Sequence, residues 1–382
     1  MKEYLSQKFE LSRGGGAHNV RPMEGLRGFA VALVFLVHYV TLVKPWISSP
    51  TTLALATAIH TIGNTGVDLF FVLSGFLIYG SLIERPQNFF KFMLRRVLRI
   101  YPTFAVVFSI YLGLSFLFPA ENKIPTSLLP GLVYVAQNFF LLPGLFPIEP
   151  IITVAWSLSY EMFYYLAIPL VIMLLKLRRR SSAWRIRFFS IVAVGLVIYC
   201  GAIGGPIRLI MFISGIFLYE TLAHRKTLPG SDFVGIFALS CGLLATLMPV
   251  GGEAGNVLKI SVLFVSFYLL CLACFQHADA MLSRAFSWTA LRWLGNMSYS
   301  YYLLHGLTLK AAFLVLAVVL PKTTNHGDIF WGLLPIMFAI TLIPTAGLFL
   351  AIERPFSLSP NRSKIESSSL VPGNQPNVVM ER

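Results

Sequence analysis

Charge is what this sequence has least of. Of its 382 residues only 12% are Asp, Glu, Lys or Arg, whereas 56% are apolar, and the mean hydropathy is +0.74. Soluble domains carry about 25% charged residues, so this chain cannot supply the polar surface of a water-soluble globule. The same deficit excludes disordered, collagen-like and disulfide-scaffold proteins. What remains is a polytopic membrane protein. Acidic residues are the scarcer sign, 16 against 30 basic, for a net charge of +14. In a chain this apolar the excess is read first against the membrane, and no nucleic-acid partner is expected. Cysteine is also scarce: Cys200, Cys241, Cys271 and Cys274 all sit inside apolar runs. Cys271 and Cys274 have CxxC spacing but no accompanying His or Cys in a polar setting, so buried thiols are expected and no metal site. No internal repeat of solenoid or transporter type is present. The first 20 residues are polar, with Gly14–Gly16 and several charges, and do not read as a cleavable leader.

Apolar runs able to cross about 30 Å of hydrocarbon fall near 28–43, 66–83, 103–118, 155–175, 188–203, 206–222, 233–250, 257–275, 297–319 and 330–351. The expected fold is therefore all-α, with about ten transmembrane helices. The run at 128–146 is short and bounded by Pro130, Pro143 and Pro147, so an interfacial or re-entrant segment is expected there. With the N-terminus in the cytoplasm, 24 of the Lys and Arg residues fall on the inside and five on the outside, with Lys310 within a span. That asymmetry favours both termini inside. Counting 128–146 as a crossing would place Arg178, Arg179 and Arg180 outside. The expected organisation is a disordered cytoplasmic N-terminus (1–20), a membrane domain (21–356) and a disordered cytoplasmic tail (357–382).

Ionisable groups inside spans are costly and mark function by default. They are His38, Asp68, Glu161, His305 and Lys310. At 1.5 Å per residue, His38 lies about 15 Å into the first span, Asp68 just inside the outer end of the second and Glu161 about 9 Å inside the outer end of the fourth. Packing could bring one imidazole and two carboxylates to a common depth. Arg27 precedes His38 by eleven residues, returning to within about 20° of the same helix face roughly 16 Å lower. A cation at one mouth and a base near the midplane suit a long ligand with an anionic head and a reactive end, the shape of acyl-coenzyme A. Arg95, Arg96 and Arg99 lie on the same side, and guanidinium forks grip phosphate bidentately. Positive-inside topology and anionic lipid explain most such clusters equally well, and the triple 178–180 is assigned to that role. Trp156, Ser157 and Tyr160 open the fourth span ahead of Glu161. Ser298, Tyr301, Tyr302 and His305 share one side of the ninth. Interfacial aromatic belts and helix-to-helix hydrogen bonds account for such residues without chemistry.

Taken in order, these segments resemble the acyltransferase family 3 of integral membrane acyltransferases, which modify envelope polysaccharides and related acceptors. Met23-Glu24-Gly25-Leu26-Arg27-Gly28 running to His38 resembles its opening Arg-x10-His motif, and Gly66-Val67-Asp68 through Ser74-Gly75-Phe76 its second signature. Arg95-Arg96 through Arg99-Ile100-Tyr101-Pro102 is similar to its arginine motif, and Trp156-Ser157-Leu158 with Glu161 to the next. Leu294-Gly295 with Ser298, Tyr302 and His305 resembles a late motif, and Glu353-Arg354-Pro355-Phe356 the closing one. The resemblance implies transfer of an acyl group, commonly acetyl, from cytoplasmic acyl-coenzyme A to a hydroxyl of an extracytoplasmic saccharide, in the bacterial inner membrane. It implies His38 as the catalytic residue, Arg27, Arg95, Arg96 and Arg99 on the donor side, and Asp68 and Glu161 as supporting acids. On that reading Asp68 or Glu161 orients His38, which acts as base or transient acyl acceptor. Ser74, Ser157 and Tyr160 are candidate oxyanion donors, with Trp156, Tyr302 and His305 in support. The donor is a substrate rather than a resident cofactor, and glycan acceptor and membrane lipid are the other expected partners. The chain looks like the stand-alone form of the family, without a C-terminal soluble domain. The rival class is a transporter or proton-coupled permease, which ten spans with intramembrane charge also fit.

Overall fold

A computed structural model describes residues 2–11, 20–224, 231–320 and 328–358. Among these the chain is helical, with no strand. The helices are α1 (Lys2–Phe9), α2 (Val20–Val43), α3 (Pro50–Gly63), α4 (Thr65–Glu84), α5 (Phe89–Leu117), α6 (Leu128–Phe139), α7 (Trp156–Leu174) and α8 (Ser182–Ile203). There follow α9 (Ile210–Ala223), α10 (Ser231–Thr246), α11 (Gly252–Gln276), α12 (Met281–Phe286), α13 (Thr289–Asn296), α14 (Ser298–Val319) and α15 (Asp328–Leu348), which widens into a π-helix over Phe349–Ser357. Local chemistry sets several starts: the side chains of Ser49, Asn88 and Ser181 accept backbone N–H groups of α3, α5 and α8, and Pro50 occupies the first turn of α3.

Eight of the described helical stretches are long and apolar enough to cross a membrane. They cover eight of the ten expected spans. The other two, at 206–222 and 233–250, are the shorter helices α9 and α10, of 14 and 16 residues. At 1.5 Å per residue α9 is only about 21 Å long. Ten of its residues are buried, so protein rather than lipid surrounds it. It lies against α4 where Gly75 and Gly215 let the two backbones touch: a Cβ on Gly75 would stand 2.2 Å from the Phe212 carbonyl oxygen, and one on Gly215 would stand 2.1 Å from that of Val72. At the other extreme, only 11% of the span in α8 is buried. Cys271 and Cys274 are buried free thiols in α11.

Three contacts fix the relative direction of α2 and α14. Arg27 donates to Ser298 Oγ at 3.1 Å, the His38 and His305 rings lie 4.9 Å apart, and Trp46 Nε1 donates to the Leu320 carbonyl at 3.0 Å. Residue numbers rise together along both helices, so they run parallel and start on the same side. An even number of crossings must therefore precede α14, a condition that α2, α4, α5, α7, α8 and α11 meet and that the shorter α9 and α10 leave unchanged as a pair. The 12-residue α6 is about 18 Å long and adds none.

The N-terminal segment, expected to be disordered over 1–20, contains a helix instead. Phe9, at the end of α1, stacks on Phe349 at 5.8 Å and meets Trp293 at 6.1 Å. Asn296 donates to its carbonyl at 3.0 Å, and Glu10 meets Arg292 at 3.5 Å. One aromatic anchor and the bonds beside it hold a segment whose composition alone is too polar to fold. The remainder of that segment, 12–19, and the tail from 359 lie outside the described residues.

Candidate active site

The polar groups of the spans gather around two cavities stacked along one face of α2. The first, of about 130 Å³, is lined by Arg27, Arg96, Arg99, Ser74, Glu161 and Ser157, together with Tyr165, Ser298, Tyr299 and Tyr302. The second, of about 680 Å³, opens toward the other side and is lined by His38, Thr41, Tyr111, Thr153, Tyr302 and Lys310 among apolar side chains of α5 and α14. The eleven-residue interval between Arg27 and His38 thus does what its helical geometry requires: both residues face the same stripe, one per cavity.

In the first cavity every cation has company. Arg99 forms an ion pair with Glu353 at 2.7 Å and lies 5.6 Å over the Tyr299 ring. Glu353 is wholly buried, and its other oxygen accepts the Ser300 backbone N–H at 3.0 Å and its hydroxyl at 2.6 Å. Its backbone lies in the π-helical stretch, where Pro355 has no N–H to continue the ladder. Arg96 packs its guanidinium on the faces of Phe92 and Tyr165 at 5.2 and 5.6 Å. Arg95, expected beside them, instead donates to Gln87 and does not line the cavity. Glu161 accepts the Ser74 hydroxyl at 2.9 Å and the Tyr165 hydroxyl at 2.5 Å.

The second cavity holds the histidine, and here the structure departs from the expected site. No carboxylate pairs with His38 among the described residues. Asp68 is bonded to Arg208 at 2.8 Å, with Arg208 lying over the Trp156 ring at 5.8 Å. Glu161 belongs to the other cavity. The neighbour of His38 is His305, its ring 4.9 Å away and inclined at 71°. His305 is fully buried and lies 2.8 Å through Nδ1 from the Tyr301 carbonyl, which can only accept. That bond fixes the proton on Nδ1 in the neutral ring and leaves Nε2 as a bare acceptor. The Nε2 atom is buried without a hydrogen-bond partner. Trp156 and Tyr160 stack edge to face at 5.6 Å and line neither cavity, so Tyr160 is not placed as an oxyanion donor. At the rim of this cavity Lys310 donates to Glu121 at 2.6 Å, and that hydrogen bond, with the lysine's charge, holds the exposed carboxyl below the usual carboxylate range.

Three buried carboxylates escaped the sequence reading, among them Glu24, which accepts from Arg292 at 3.0 Å. Glu353 appeared only as part of a closing motif. Glu220, near the end of the sixth span, takes Arg185 at 2.6 Å, Ser182 at 2.6 Å and Tyr79 at 2.5 Å, a saturated set that ties α4, α8 and α9 together. For Glu220, an acidic residue inside the apolar run 206–222 was the available signal.

The fold and the paired cavities define a polytopic helical membrane protein whose conspicuous intramembrane groups are a donor-rich arginine pocket and a histidine pair. A family model described as an acyltransferase domain matches residues 22–352, and the chain belongs to this acyltransferase family 3. The O-acetyltransferase OatA of Staphylococcus aureus (strain NCTC 8325 / PS 47) is 26% identical over 314 residues, covering 74% of this chain and 49% of the relative. The putative peptidoglycan O-acetyltransferase YrhL of Bacillus subtilis (strain 168) is 24% identical over 388 residues, covering 89% and 55%. The chain spans about half the length of the curated relatives it matches. No solved structure matches.

Proposed function

We propose that this protein is a membrane O-acyltransferase that carries an acyl group, commonly acetyl, from acyl-coenzyme A to a hydroxyl of an envelope saccharide. The site of action is the bacterial cytoplasmic membrane. The observation that carries the reading is the pair of cavities on one face of α2, cationic where Arg27, Arg96 and Arg99 converge and histidine-bearing beyond. The side on which α2 begins, rich in Lys and Arg, is the cytoplasmic side. The guanidinium groups take the phosphates of the donor, and the thioester end reaches toward His38. The acceptor enters the larger cavity from the other side.

His38 removes the proton of the acceptor hydroxyl as the oxygen attacks the thioester carbonyl. The C–O bond forms, the C–S bond breaks, and the imidazolium gives its proton to the departing coenzyme A sulfur, which leaves as the thiol and restores neutral His38. Asp68 and Glu161 act elsewhere: Asp68 holds Arg208 and the mouth of α4, and Glu161 orders Ser74 and Tyr165 in the donor cavity. His305, packed on His38, sets the ring's orientation in place of a carboxylate.

The test supplies radiolabelled acetyl-coenzyme A to purified protein in liposomes with a saccharide acceptor. Label should pass to the acceptor with wild type and not with His38→Ala. Unchanged transfer by a well-folded His38→Ala protein removes the histidine from the mechanism, and no thioester cleavage by wild type with donors of any length removes the activity itself.

A further inference from the structure

The two cavities meet at one side chain. Among the described residues Tyr302 alone lines both, and its hydroxyl lies 2.7 Å from Ser157 Oγ and 3.1 Å from the Val154 carbonyl oxygen. Ser157 belongs to the wall of the arginine cavity and Val154 to that of the histidine cavity, and Ser157 Oγ is itself 3.2 Å from the Val154 carbonyl. Two hydroxyl hydrogens are thus shared among three oxygens. Either arrangement of donors closes the same latch across the boundary between α7 and α14. We propose that the Tyr302–Ser157–Val154 latch is a partition that must open for the acyl end of the donor to reach His38, and that it couples thioester cleavage to the presence of an acceptor. The proposal rests on the acyltransferase reading above for its second half.

Three further observations support a movable partition rather than a static wall. All three latch oxygens are neutral, so opening strands no buried charge, unlike separation of Arg99 from Glu353. Val154 sits in a single 3-10 turn, Thr153–Ala155, ahead of α7, so one side of the latch is short irregular backbone rather than helix interior. The Tyr302 ring touches both neighbours that would sense its motion: Phe70 at 6.1 Å and His305 at 6.4 Å, with His305 in turn against His38. A closed partition keeps water in the wide outer cavity away from the thioester. Without it the acyl group would be lost to water as the free acid and coenzyme A.

The experiment has two arms. In the first, purified wild type, Tyr302→Phe, Ser157→Ala and Ser157→Thr are given acetyl-coenzyme A with and without acceptor, and acetate release is compared with transfer. Tyr302→Phe and Ser157→Ala should raise acceptor-independent hydrolysis at least fivefold relative to transfer. Ser157→Thr, which keeps the hydroxyl, should stay near the wild-type ratio. A purely structural role would lower both rates together and move no ratio. The second arm needs no turnover. In a chain with its four cysteines replaced, Ser74→Cys reports on the arginine cavity, and a membrane-impermeant thiol reagent is applied from the side where α2 ends. Labelling should be absent with Tyr302 in place and appear with Tyr302→Ala. Where wild type turns over, an unchanged ratio or absent labelling overturns the proposal. Where wild type cleaves no thioester, the acyltransferase reading fails by itself, and the labelling arm alone decides whether Tyr302 divides the cavities.

Discussion

The two cavities are built on opposite plans. Around the arginines, Arg99 is matched with Glu353, whose carboxylate has two more donors from Ser300, while Arg96 rests on aromatic faces with its Nε buried and unbonded. Around His38 the walls are largely apolar, and its ring packs against a second imidazole with a buried, unpartnered nitrogen. The first plan fits a site that holds a multiply charged ligand without being reshaped by it. The second leaves, packed against the proposed base His38, an imidazole with spare hydrogen-bonding capacity, which stability does not require. Substitutions should therefore separate cleanly into those that abolish turnover, those that unfold, and those that weaken donor binding.

The largest effect belongs to the histidine cavity. His38→Ala should lower transfer by at least about 10³-fold, while acyl-coenzyme A binding measured by calorimetry stays within a few-fold of wild type. Loss of donor binding in that variant would merge the two sites into one. Next comes Arg99→Ala, which strands the fully buried Glu353 and should cost about 3 kcal/mol of stability, read as a lower melting temperature in detergent. Arg99→Ala with Glu353→Gln should recover much of that loss but not donor binding. Arg27→Ala should act chiefly on donor binding, because Arg27 lines the arginine cavity together with Arg96 and Arg99. Its KM for the donor should rise roughly tenfold, equivalent to about 1.4 kcal/mol, with kcat little altered. Smallest is Arg95→Ala: outside the cavity and engaged with Gln87, it should leave KM within about twofold. A large KM effect there would redraw the donor site to include the whole arginine cluster.

The sequence was most informative where one helix suffices. Hydropathy and the Lys and Arg distribution place the spans, and the Arg27-to-His38 interval reads a stripe correctly because both residues share α2. Pairings between helices were not legible. Asp68 and Glu161 stood at plausible depths for His38, yet Asp68 faces Arg208, 140 positions away in sequence, and Glu161 faces Ser74 and Tyr165. Depth along an axis leaves rotation about it unspecified, and packing of α4 on α9 through Gly75 and Gly215 settles that rotation. The shortness of α9 has the same origin, since a helix enclosed by protein need not match the bilayer. The docked α1 was hidden because a single Phe9 between Phe349 and Trp293 outweighs a polar composition.

The parallel contact of α2 with α14 bears on how the protein is made. Chains emerge N-terminal end first, so α2 enters the bilayer ahead of the other described spans. It enters carrying Glu24, Arg27 and His38. Their companions Arg292 and Ser298 follow 268 and 271 residues later, and His305 after them. For nearly the whole of synthesis these groups must be answered by water, lipid headgroups or the insertion machinery, because leaving them bare in hydrocarbon is costly. The proposed active centre therefore closes late, and a chain truncated before α13 would expose on α2 the polar stripe that insertion quality control is suited to detect.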